Sequence, residues 1–595
     1  MFLRAKTRFK DGKEHRYWSL VENRRVAGGR VVQRQVLSLG EINDSQQAAW
    51  CHTIEVLQED GGPSSMALFP EDRAAPALAG EVVQIQVTGL QLRRPRQWGA
   101  CWLACALWDF LTLDDFWGER LTPSRQGTRW LNVLKTLVVY RLLDPGSEWR
   151  LSRQWYERSA MSDLLGEDMG LVQLQKLYRC LDKVLAHKQA LFSFLQQRWQ
   201  RLFDAQFDVL LYDLTSTYFE SVLSDSEKKK YGYSRDHRGD CVQIVIALVV
   251  TPDGLPLAYE VLPGNTSDKT TLTDLRQRIE AQYGRSRRTW VMDRGIPTEE
   301  TLAAMRAADP PVYYLVGTPR GRLTRFEQGF LEKPWTAIRS AVEVKLLPAD
   351  GELYVLARSH GRVEKERAMR RRRLKKLWQR RHELQKQTLT RDQLLLKLGA
   401  AKKDAGRAYK LVEIQVPEPD QPVNADTFRF TLRKQKLRQV RRRAGHYLLR
   451  SNLSGQDPQI LWKYYIQLTE VEQAFKELKT DLKIRPVHHQ RDDRIEAHLF
   501  VAFLAYCLQV TLKNRLRPLA PGLTPRAVLD TFAAMQMVDV YLPTTDGRQV
   551  ILSRYTEPEH DQQLLLHQLG LPLPAQPPPK ITQSALPPAS SSTAL

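Results

Sequence analysis

Hydrophobic positions in residues 96–204 recur every three or four residues, which is the spacing of one face of a helix. The series Leu131, Leu134, Leu137 and Tyr140 follows this spacing. Residues 1–95 differ, because they are polar and basic and hold short Val-rich runs between Gly and Pro clusters. We therefore predict a strand-rich N-terminal module with a linker over 1–95 and a helical domain over 96–204.

Near residue 205 short and almost continuous apolar runs replace the helical period, as is typical of buried strands. Over 205–319 we predict three strands, a helix, a strand, a helix and a fifth strand. These elements cover 207–212, 243–250, 255–262, 268–283, 289–292, a helix after Pro297, and 312–316. Successive strands without a helix between them pair antiparallel, whereas strands joined through a helix pair parallel. The expected core is therefore an α/β fold with a mixed five-stranded sheet.

Residues 320–456 interrupt this pattern with strand-like stretches around a long basic helix, which we expect over 363–400. We interpret them as an inserted α+β domain. Residues 457–555 return to a helical pattern, with a helix pair predicted over 458–482 and 493–515. The remaining residues, 556–595, are rich in Pro, Ser and Ala and are expected to form a disordered tail.

The charge of the chain points to a class of partner. Lys and Arg number 89 against 67 Asp and Glu, which gives a formal net charge of +22. Such an excess favours a polyanion, because each phosphate that a protein neutralises releases condensed counterions. We therefore favour nucleic acid over the alternatives, a ribosome-associated protein or a merely soluble basic one.

Cysteine usage and the apolar runs argue against other classes. The 6 cysteines form no Cys-x-x-Cys pair, which disfavours a zinc site or a disulfide framework and suits a reducing cytoplasm. No hydrophobic signal-peptide stretch follows Met1. The longest apolar runs, 100–108 and 499–512, are shorter than the ~20 residues of a membrane-spanning helix, so we expect no membrane association.

Two acids follow predicted strands, Asp213 after 207–212 and Asp293 after 289–292. Neighbouring strand ends can bring two carboxylates to one hard cation such as Mg²⁺, which prefers their oxygens as ligands. A pair of such ions stabilises both the attacking and the leaving oxygen of an in-line phosphoryl displacement. This chemistry requires a third carboxylate.

The helix predicted over 458–482 carries the candidate. At about 100° per residue, one narrow face of this helix holds five side chains. They are Tyr465, Leu468, Glu472, Phe475 and Lys479. Glu470 and Glu477 project elsewhere, so Glu472 is the preferred ligand. Each acid alone could also be a loop, cap or surface residue, and the prediction depends on all three occurring in this order in a basic chain.

The stretches around these acids resemble the DDE transposases of bacterial insertion sequences, whose catalytic core has the ribonuclease H-like fold. The matching stretches are Tyr212–Thr217, Tyr231–Asp236, Pro263–Asp268, Val291–Gly295 and the series Tyr465, Leu468, Glu472 and Lys479. That series has the spacing of the Y-R-E-K signature of one large group. Leu468 departs from it, because it stands at the arginine position. The phosphate contact of that arginine is therefore missing or is made by Arg485 or another basic residue.

The resemblance implies an enzyme that hydrolyses a phosphodiester at the ends of an element and then joins the 3′-OH to the opposite strand or to target DNA. It implies two Mg²⁺ ions, with Mn²⁺ as a substitute, at Asp213, Asp293 and Glu472. It also implies DNA contacts by Tyr465, Lys479 and the helical domain. Two DNA ends held together require at least a dimer, and the site of action would be the bacterial cytoplasm, at the nucleoid.

Other basic residues are candidate DNA contacts. The basic helix holds a run of them, Arg370, Arg371, Arg372, Arg373, Lys375 and Lys376. A charge run is commonly a solvated face, but its place in the inserted domain favours phosphate contact. Arg294, beside the second acid, and His237, just before the second strand, are the remaining candidates.

Two rival functions stay open at this point. One is a nuclease on the same core that cuts DNA without joining it. The other is an inactive transposase relic that binds DNA ends and no longer cuts.

Overall fold

A computed structural model of the chain describes residues 1–10, 13–25, 31–42, 47, 83–220, 226–236, 238–268, 271–284, 287–293, 295–318, 323–339, 342–419, 421–453, 455–485 and 487–583. The chain divides into two compact units. The first comprises Met1–Lys6, Tyr17–Ser286 and Leu468–Leu595, and the second comprises Thr7–Arg16 and Arg287–Gln467.

The strands, in chain order, are β1 Phe2–Lys10, β2 Lys13–Arg25, β3 Val31–Gly40, β4 Gln91–Gln97, β5 Val209–Tyr218, β6 Gln243–Val250, β7 Pro256–Pro263, β8 Thr289–Met292, β9 Tyr313–Thr318, β10 Thr336–Arg339, β11 Val342–Ala349, β12 Glu352–Ser359, β13 Val412–Gln415, β14 Arg429–Leu432, β15 His446–Ser451, β16 Gln536–Pro543, β17 Arg548–Tyr555 and β18 Lys580–Gln583. The helices are α1 Gly99–Phe110, α2 Leu113–Gly118, α3 Trp130–Leu143, α4 Glu148–Arg150, α5 Tyr156–Arg158, α6 Met161–Leu165, α7 Leu174–Val184, α8 Lys188–Phe203, α9 Thr271–Tyr283, α10 Glu299–Ala307, α11 Leu323–Leu331, α12 His360–Gln385, α13 Arg391–Ala405, α14 Lys434–Arg442, α15 Pro458–Ile466, α16 Leu468–Lys476, α17 Asp492–Leu519, α18 Pro525–Phe532 and α19 His560–Leu569.

The first unit has a helical core around α17, which packs against α1, α3 and α7. Nearly every side chain of α17 between Ile495 and Leu512 is buried. By length and composition α17 could cross a membrane, but 94% of its apolar window is buried inside the protein. The two long apolar runs of the sequence thus form interior helices, α1 and α17.

Strands β5, β6 and β7 form an antiparallel meander in the first unit, as the absence of helices between them predicts. The turn between β6 and β7 is closed by the Gly254 amide, which donates to the Thr251 carbonyl over 2.9 Å. Gly254 has φ +83, a conformation that residues with a side chain rarely adopt.

One strand boundary differs from the prediction. Asp213 does not follow β5 but lies inside it, opposite Leu248 of β6. The strand continues through Thr215, Ser216 and Thr217, which are polar in sequence yet buried and paired with β6. Thr is a strong strand former because its branched side chain packs well on a pleated surface.

The expectation of a disordered tail is wrong for its described part, residues 556–583. Helix α19 buries Leu564, Leu565 and Leu569, and β18 extends an antiparallel sheet of order β18-β17-β16-β4. The sequence did not indicate this helix, because α19 is only ten residues long and lies in a segment with a Pro-rich composition.

At the other end of the chain, β2 and β3 pair antiparallel, as the Val-rich pattern predicts. The predicted linker lies largely outside the described residues.

The second unit contains a mixed sheet of order β10-β11-β12-β15-β9-β8. Strands β8 and β9 pair parallel through α10, as predicted, and the other neighbours that are described pair antiparallel. The single basic helix expected over 363–400 is instead two helices, α12 and α13. The predicted helix is interrupted before Thr390, because Thr390 forms a capping box with Gln393 and starts a new helix, α13. Both helices pack on the β13–β14 pair around Leu384, Leu398 and Phe428.

Candidate active site

Asp213 is held in the middle of β5, where its own strand and its partner β6 are almost fully buried. The Asp213 side chain is half-buried, and its Oδ1 accepts a hydrogen bond from the Leu214 amide over 2.8 Å. The adjacent Tyr212 points to the opposite face of the sheet, where its hydroxyl contacts Thr271 of α9 over 2.6 Å. The carboxylate therefore stands on a rigid element.

Glu472 lies on α16, which packs against β5 in the same unit. Leu468, Val471 and Phe475 bury one side of α16, whereas Glu472 is exposed. The five residues from Tyr465 to Lys479 do not share one uninterrupted helix, because α15 ends at Ile466 and a π-helical turn, Glu477–Asp481, follows α16.

The two neighbouring glutamates are engaged elsewhere. Glu470 forms an ion pair with Lys513 of α17, with 2.6 Å between Oε2 and Nζ. Glu477 is buried and accepts a hydrogen bond from Gln473 over 2.9 Å. Burial raises the pKa of the Glu477 carboxyl, so it is a poor anionic ligand. Of these three acids, Glu472 is the one that offers an exposed carboxylate.

Asp293 is the first exposed residue after the buried strand β8, in the second unit. Its predicted position at a strand end is therefore found. Arg294 beside it lies outside the described residues, as does His237. Asp213, Asp293 and Glu472 are all hard oxygen donors, the ligand chemistry that suits a divalent cation such as Mg²⁺ or Mn²⁺.

A second cluster of possible metal ligands was not predicted. Glu148 of α4 lies with His489 and His498 of the first unit, all three buried and with their ligand atoms within 4.8 Å of one another. The Glu148 Oε1 is 3.3 Å from the His489 Nε2. Arg141 occupies the same interior, with its Nη2 3.4 Å from the His498 Nδ1. A buried guanidinium beside the ligands opposes a divalent cation, so we interpret the cluster as a charge-compensated core network. Nothing in the sequence pointed to Glu148, which is 341 positions from His489.

The two predicted DNA contacts of the series Tyr465–Lys479 lie in different units. Tyr465 of α15 packs in the second unit near the rings of Tyr447 and Trp462, at centroid distances of 5.9 and 6.2 Å. Lys479 lies in the π-helical turn of the first unit, where its Nζ is 3.0 Å from the Asp236 Oδ1. Arg485 reaches the other oxygen of the same carboxylate at 2.6 Å.

The basic run of α12 is split between two sides of the helix. Arg370, Arg371 and Lys375 line a groove of about 510 Å³, together with Arg367 and, from α14, Arg441. Its floor is apolar and is formed by Leu374, Trp378, Leu432 and Leu437. Burial and the neighbouring Arg441 and Arg367 guanidiniums lower the pKa of Arg370.

The other half of the run, Arg372, Arg373 and Lys376, does not line this groove. Within the described part of the chain, none of the five groove cations forms an ion pair with a carboxylate. Their excess charge makes the groove attractive to an anion.

Comparison with known proteins identifies the family. Residues 204–508 match a family model described as the transposase DDE domain, and residues 3–60 match the N-terminal domain of the IS1634 family transposases. A search of curated proteins returned no match. Among solved structures, a piggyBac transposase synaptic complex with hairpin DNA is similar over 72% of this chain and 79% of that chain, with 8% identity and a TM-score of 0.35.

The two family models confirm the predicted DDE transposase of an insertion sequence, and membership of the group with the Y-R-E-K signature stays a prediction. The larger match alone spans more than half of the 595 residues. The chain therefore belongs to the DDE transposases of insertion sequences, enzymes that cleave DNA and transfer its strands.

Proposed function

We propose that Asp213, Asp293 and Glu472 are the three acids of the DDE site and that they hold two Mg²⁺ ions, or Mn²⁺ in their place. The observation that carries this proposal is the packing of α16 on β5, with an exposed Glu472 and a half-buried Asp213 on the two elements. Among Glu470, Glu472 and Glu477, Glu472 is the exposed one, which supports it as the third acid. The ribonuclease H-like arrangement of the core belongs to the same proposal.

When bound, such ions activate a water and stabilise both the attacking and the leaving oxygen of the phosphodiester. The protein contributes rigid carboxylates on β5 and α16 and cations that grip the DNA backbone. Lys479, Arg485 and the groove cations of α12 are placed to bind phosphates, because their charges are only partly neutralised within the protein.

The DNA bound is double-stranded, with the inverted-repeat ends of the element as one substrate and target DNA as the other. Because two ends have to be cut and joined together, the active complex is at least a dimer. The enzyme acts in the cytoplasm, on the DNA of the nucleoid.

Labelled element ends, incubated with the protein and Mg²⁺, test this proposal. We expect 3′-OH ends and joined products from the wild-type chain. Asp213→Asn, Asp293→Asn and Glu472→Gln should each reduce cleavage by at least about a hundredfold and leave end binding largely unchanged. Glu470→Gln is the matched control on the same helix and should cleave at nearly the wild-type rate.

The outcomes separate the rival functions. Cutting without joining would identify a nuclease, and binding without cutting would identify an inactive relic. If Glu472→Gln cleaved normally while Glu470→Gln did not, the assignment of the third acid would be wrong.

A further inference from the structure

The segment 231–236 is anchored to the end of the β5–β6 pair by several specific contacts. The side-chain Nε2 of Gln243 donates to the Tyr233 carbonyl over 3.0 Å and to the Gly264 carbonyl over 2.8 Å. Gly232 packs so closely that a Cβ there would lie 2.1 Å from the Gly264 oxygen. The segment therefore follows the strands with little freedom, and any side chain at 232 would displace it.

A further contact ties the segment to the strand that carries Asp213. The Arg235 amide donates to the Ser216 Oγ of β5 over 3.1 Å, and the Arg235 guanidinium pairs with Asp268 at 2.7 Å. Ser216 is three residues beyond Asp213, roughly 10 Å along β5, and its side chain projects from the opposite face of the sheet. The contact therefore holds the next residue of the segment, Asp236, at the end of β5 beyond Asp213, and Lys479, seven residues after Glu472, links it to the proposed site.

Asp236 contacts two cations that come from the chain beyond α16. Its Oδ1 is 3.0 Å from the Lys479 Nζ, and its Oδ2 is 2.6 Å from the Arg485 Nη1. The side chains of Asp236 and Lys479 are only 14% and 13% exposed, whereas Arg485 is 29% exposed. One carboxylate thus holds two cations, and a net positive charge remains beside it.

Arg485 has a second anchor on β5. Its guanidinium lies 5.3 Å from the centroid of the Tyr218 ring, and the Arg238 guanidinium lies 4.8 Å from the same ring. Contacts with both an aromatic ring and a carboxylate limit the orientations that a guanidinium can adopt. Arg485 is therefore oriented before any ligand arrives.

We propose that Asp236 is a positioning residue that holds Lys479 and Arg485 as a paired phosphate contact for the DNA end. Arg485 thereby supplies the guanidinium that the family signature carries at the position of Leu468, which is buried here. This inference rests on the proposed function, since it assigns a role within the same DNA-cleaving site. It also gives a function to the Tyr231–Asp236 stretch, whose contacts all serve to place one carboxylate.

The ammonium of Lys479 depends on this partner. Burial lowers the pKa of Lys479, the Asp236 carboxylate opposes that effect, and the nearby Arg485 and Arg235 guanidiniums add to the lowering. Without the Asp236 charge, Lys479 would be less firmly held and would lose its proton at a lower pH.

The test measures binding of element ends and of a scrambled duplex, together with single-turnover cleavage, for Asp236→Asn and for the matched control Asp240→Asn. Asp240 is an exposed carboxylate four residues away that pairs with Arg238 at 3.0 Å. We expect Asp236→Asn to slow cleavage by about tenfold to a hundredfold, because misplaced contacts of this kind cost that much. Its preference for element ends should fall, while its affinity for scrambled DNA should not fall, since a negative charge has been removed. Asp240→Asn should match the wild type, and Asp236→Glu should recover part of the rate.

A double-mutant comparison separates positioning from a merely structural role. In a Lys479→Met, Arg485→Met background, the effect of Asp236→Asn on end preference should disappear, because the groups through which it acts are gone. The proposal is overturned if Asp236→Asn keeps the wild-type rate and end preference, or if its loss of end preference persists in that background. If instead the wild-type chain fails to cleave, the proposed function fails, and the end-preference measurement still decides the role of Asp236.

Discussion

Leu468 shows at the scale of one residue how this chain departs from its family signature. It lies in the first turn of α16 with 8% of its surface exposed, among the residues that pack this helix against β5. An arginine at this position would carry its charge into a packed core. Packing therefore disfavours an arginine at this position.

An arginine in place of Leu468 should consequently destabilise the fold. We expect Leu468→Arg to lower the free energy of unfolding by about 3 kcal/mol, because burying an unpaired charge is among the costliest substitutions. Urea unfolding measures this loss. Leu468→Met, which conserves the volume, should cost less than about 1.5 kcal/mol. A Leu468→Arg variant as stable as the wild type and more active would contradict the placement of this residue in the core.

The buried network of Arg141, Glu148, His489 and His498 makes stability depend on pH. Burial, with the Arg141 charge as the next cause, lowers the pKa of His498 from 6.5 to about 4. Between these values the unfolded chain binds a proton that the folded chain does not bind. Acidification over this range therefore favours unfolding, and the fold is at full stability above pH 6.5.

We expect the free energy of unfolding to fall by roughly 3 kcal/mol between neutral pH and pH ~4 on account of His498. Burial alone would raise the pKa of Glu148, but its contacts with His489 and His498 outweigh burial and hold that pKa well below 4.5. Protonation of the Glu148 carboxylate therefore lowers the free energy of unfolding further as the pH falls below 4.5. Urea unfolding at several pH values measures the slope, which His498→Gln should flatten. His488→Gln, at an exposed neighbour, should leave the slope unchanged, and an equal slope in all three chains would refute this account.

At the scale of elements, the proposed site takes its acids from β5, from α16 and from the residue after β8. Strand β5 carries Asp213, Ser216 and Tyr218, and the chain from α16 onward carries Glu472, Lys479 and Arg485. The π-helical turn, Glu477–Asp481, changes the rotation of the chain after α16. Lys479 lies in this turn, where its Nζ is 3.0 Å from the Asp236 Oδ1.

The two sides of helix α12 are predicted to contribute differently to DNA binding. Removing three groove cations with Arg370→Ala, Arg371→Ala and Lys375→Ala should weaken DNA binding and reduce the slope of log affinity against log salt by up to about 2.7. The matched control removes the same charge from the other side of the run, through Arg372→Ala, Arg373→Ala and Lys376→Ala. This second variant should change the slope far less. Equal slopes for the two triple variants would mean that net charge, and not the groove, governs binding.

At the scale of the whole molecule, the formal charge of +22 and the need to join two ends lead to a prediction about assembly. We expect added element ends to convert the protein into complexes that hold at least two chains and two DNA ends. Light scattering or native mass measurement at fixed salt would detect this change. Scrambled duplex should bind more weakly, through phosphate contacts alone, without forming that complex. Single-chain complexes that still perform joining would refute a dimeric active form.

The sequence alone determined much of this protein. Short and almost continuous apolar runs predicted the β5–β6–β7 meander and the β8–β9 pair, because buried strands need an unbroken set of apolar side chains. The family followed from the resemblance of short motifs around the acids, and the family match over residues 204–508 confirms it.

Only the tertiary structure decided which groups act together. The extension of β5 past Asp213 and the burial of the tail helix α19 depend on packing partners that are distant in the chain, whereas the break between α12 and α13 comes from the local capping box at Thr390. The pairing of Asp236 with Lys479 joins residues 243 positions apart, and no local spacing predicts it. Asp213 and Asp293 could be proposed from their strands, whereas the preference for Glu472 over Glu470 and Glu477 gained its support from the exposure of Glu472. A sequence specifies which elements form, but burial and charge pairing in three dimensions determine which side chains stay available for chemistry.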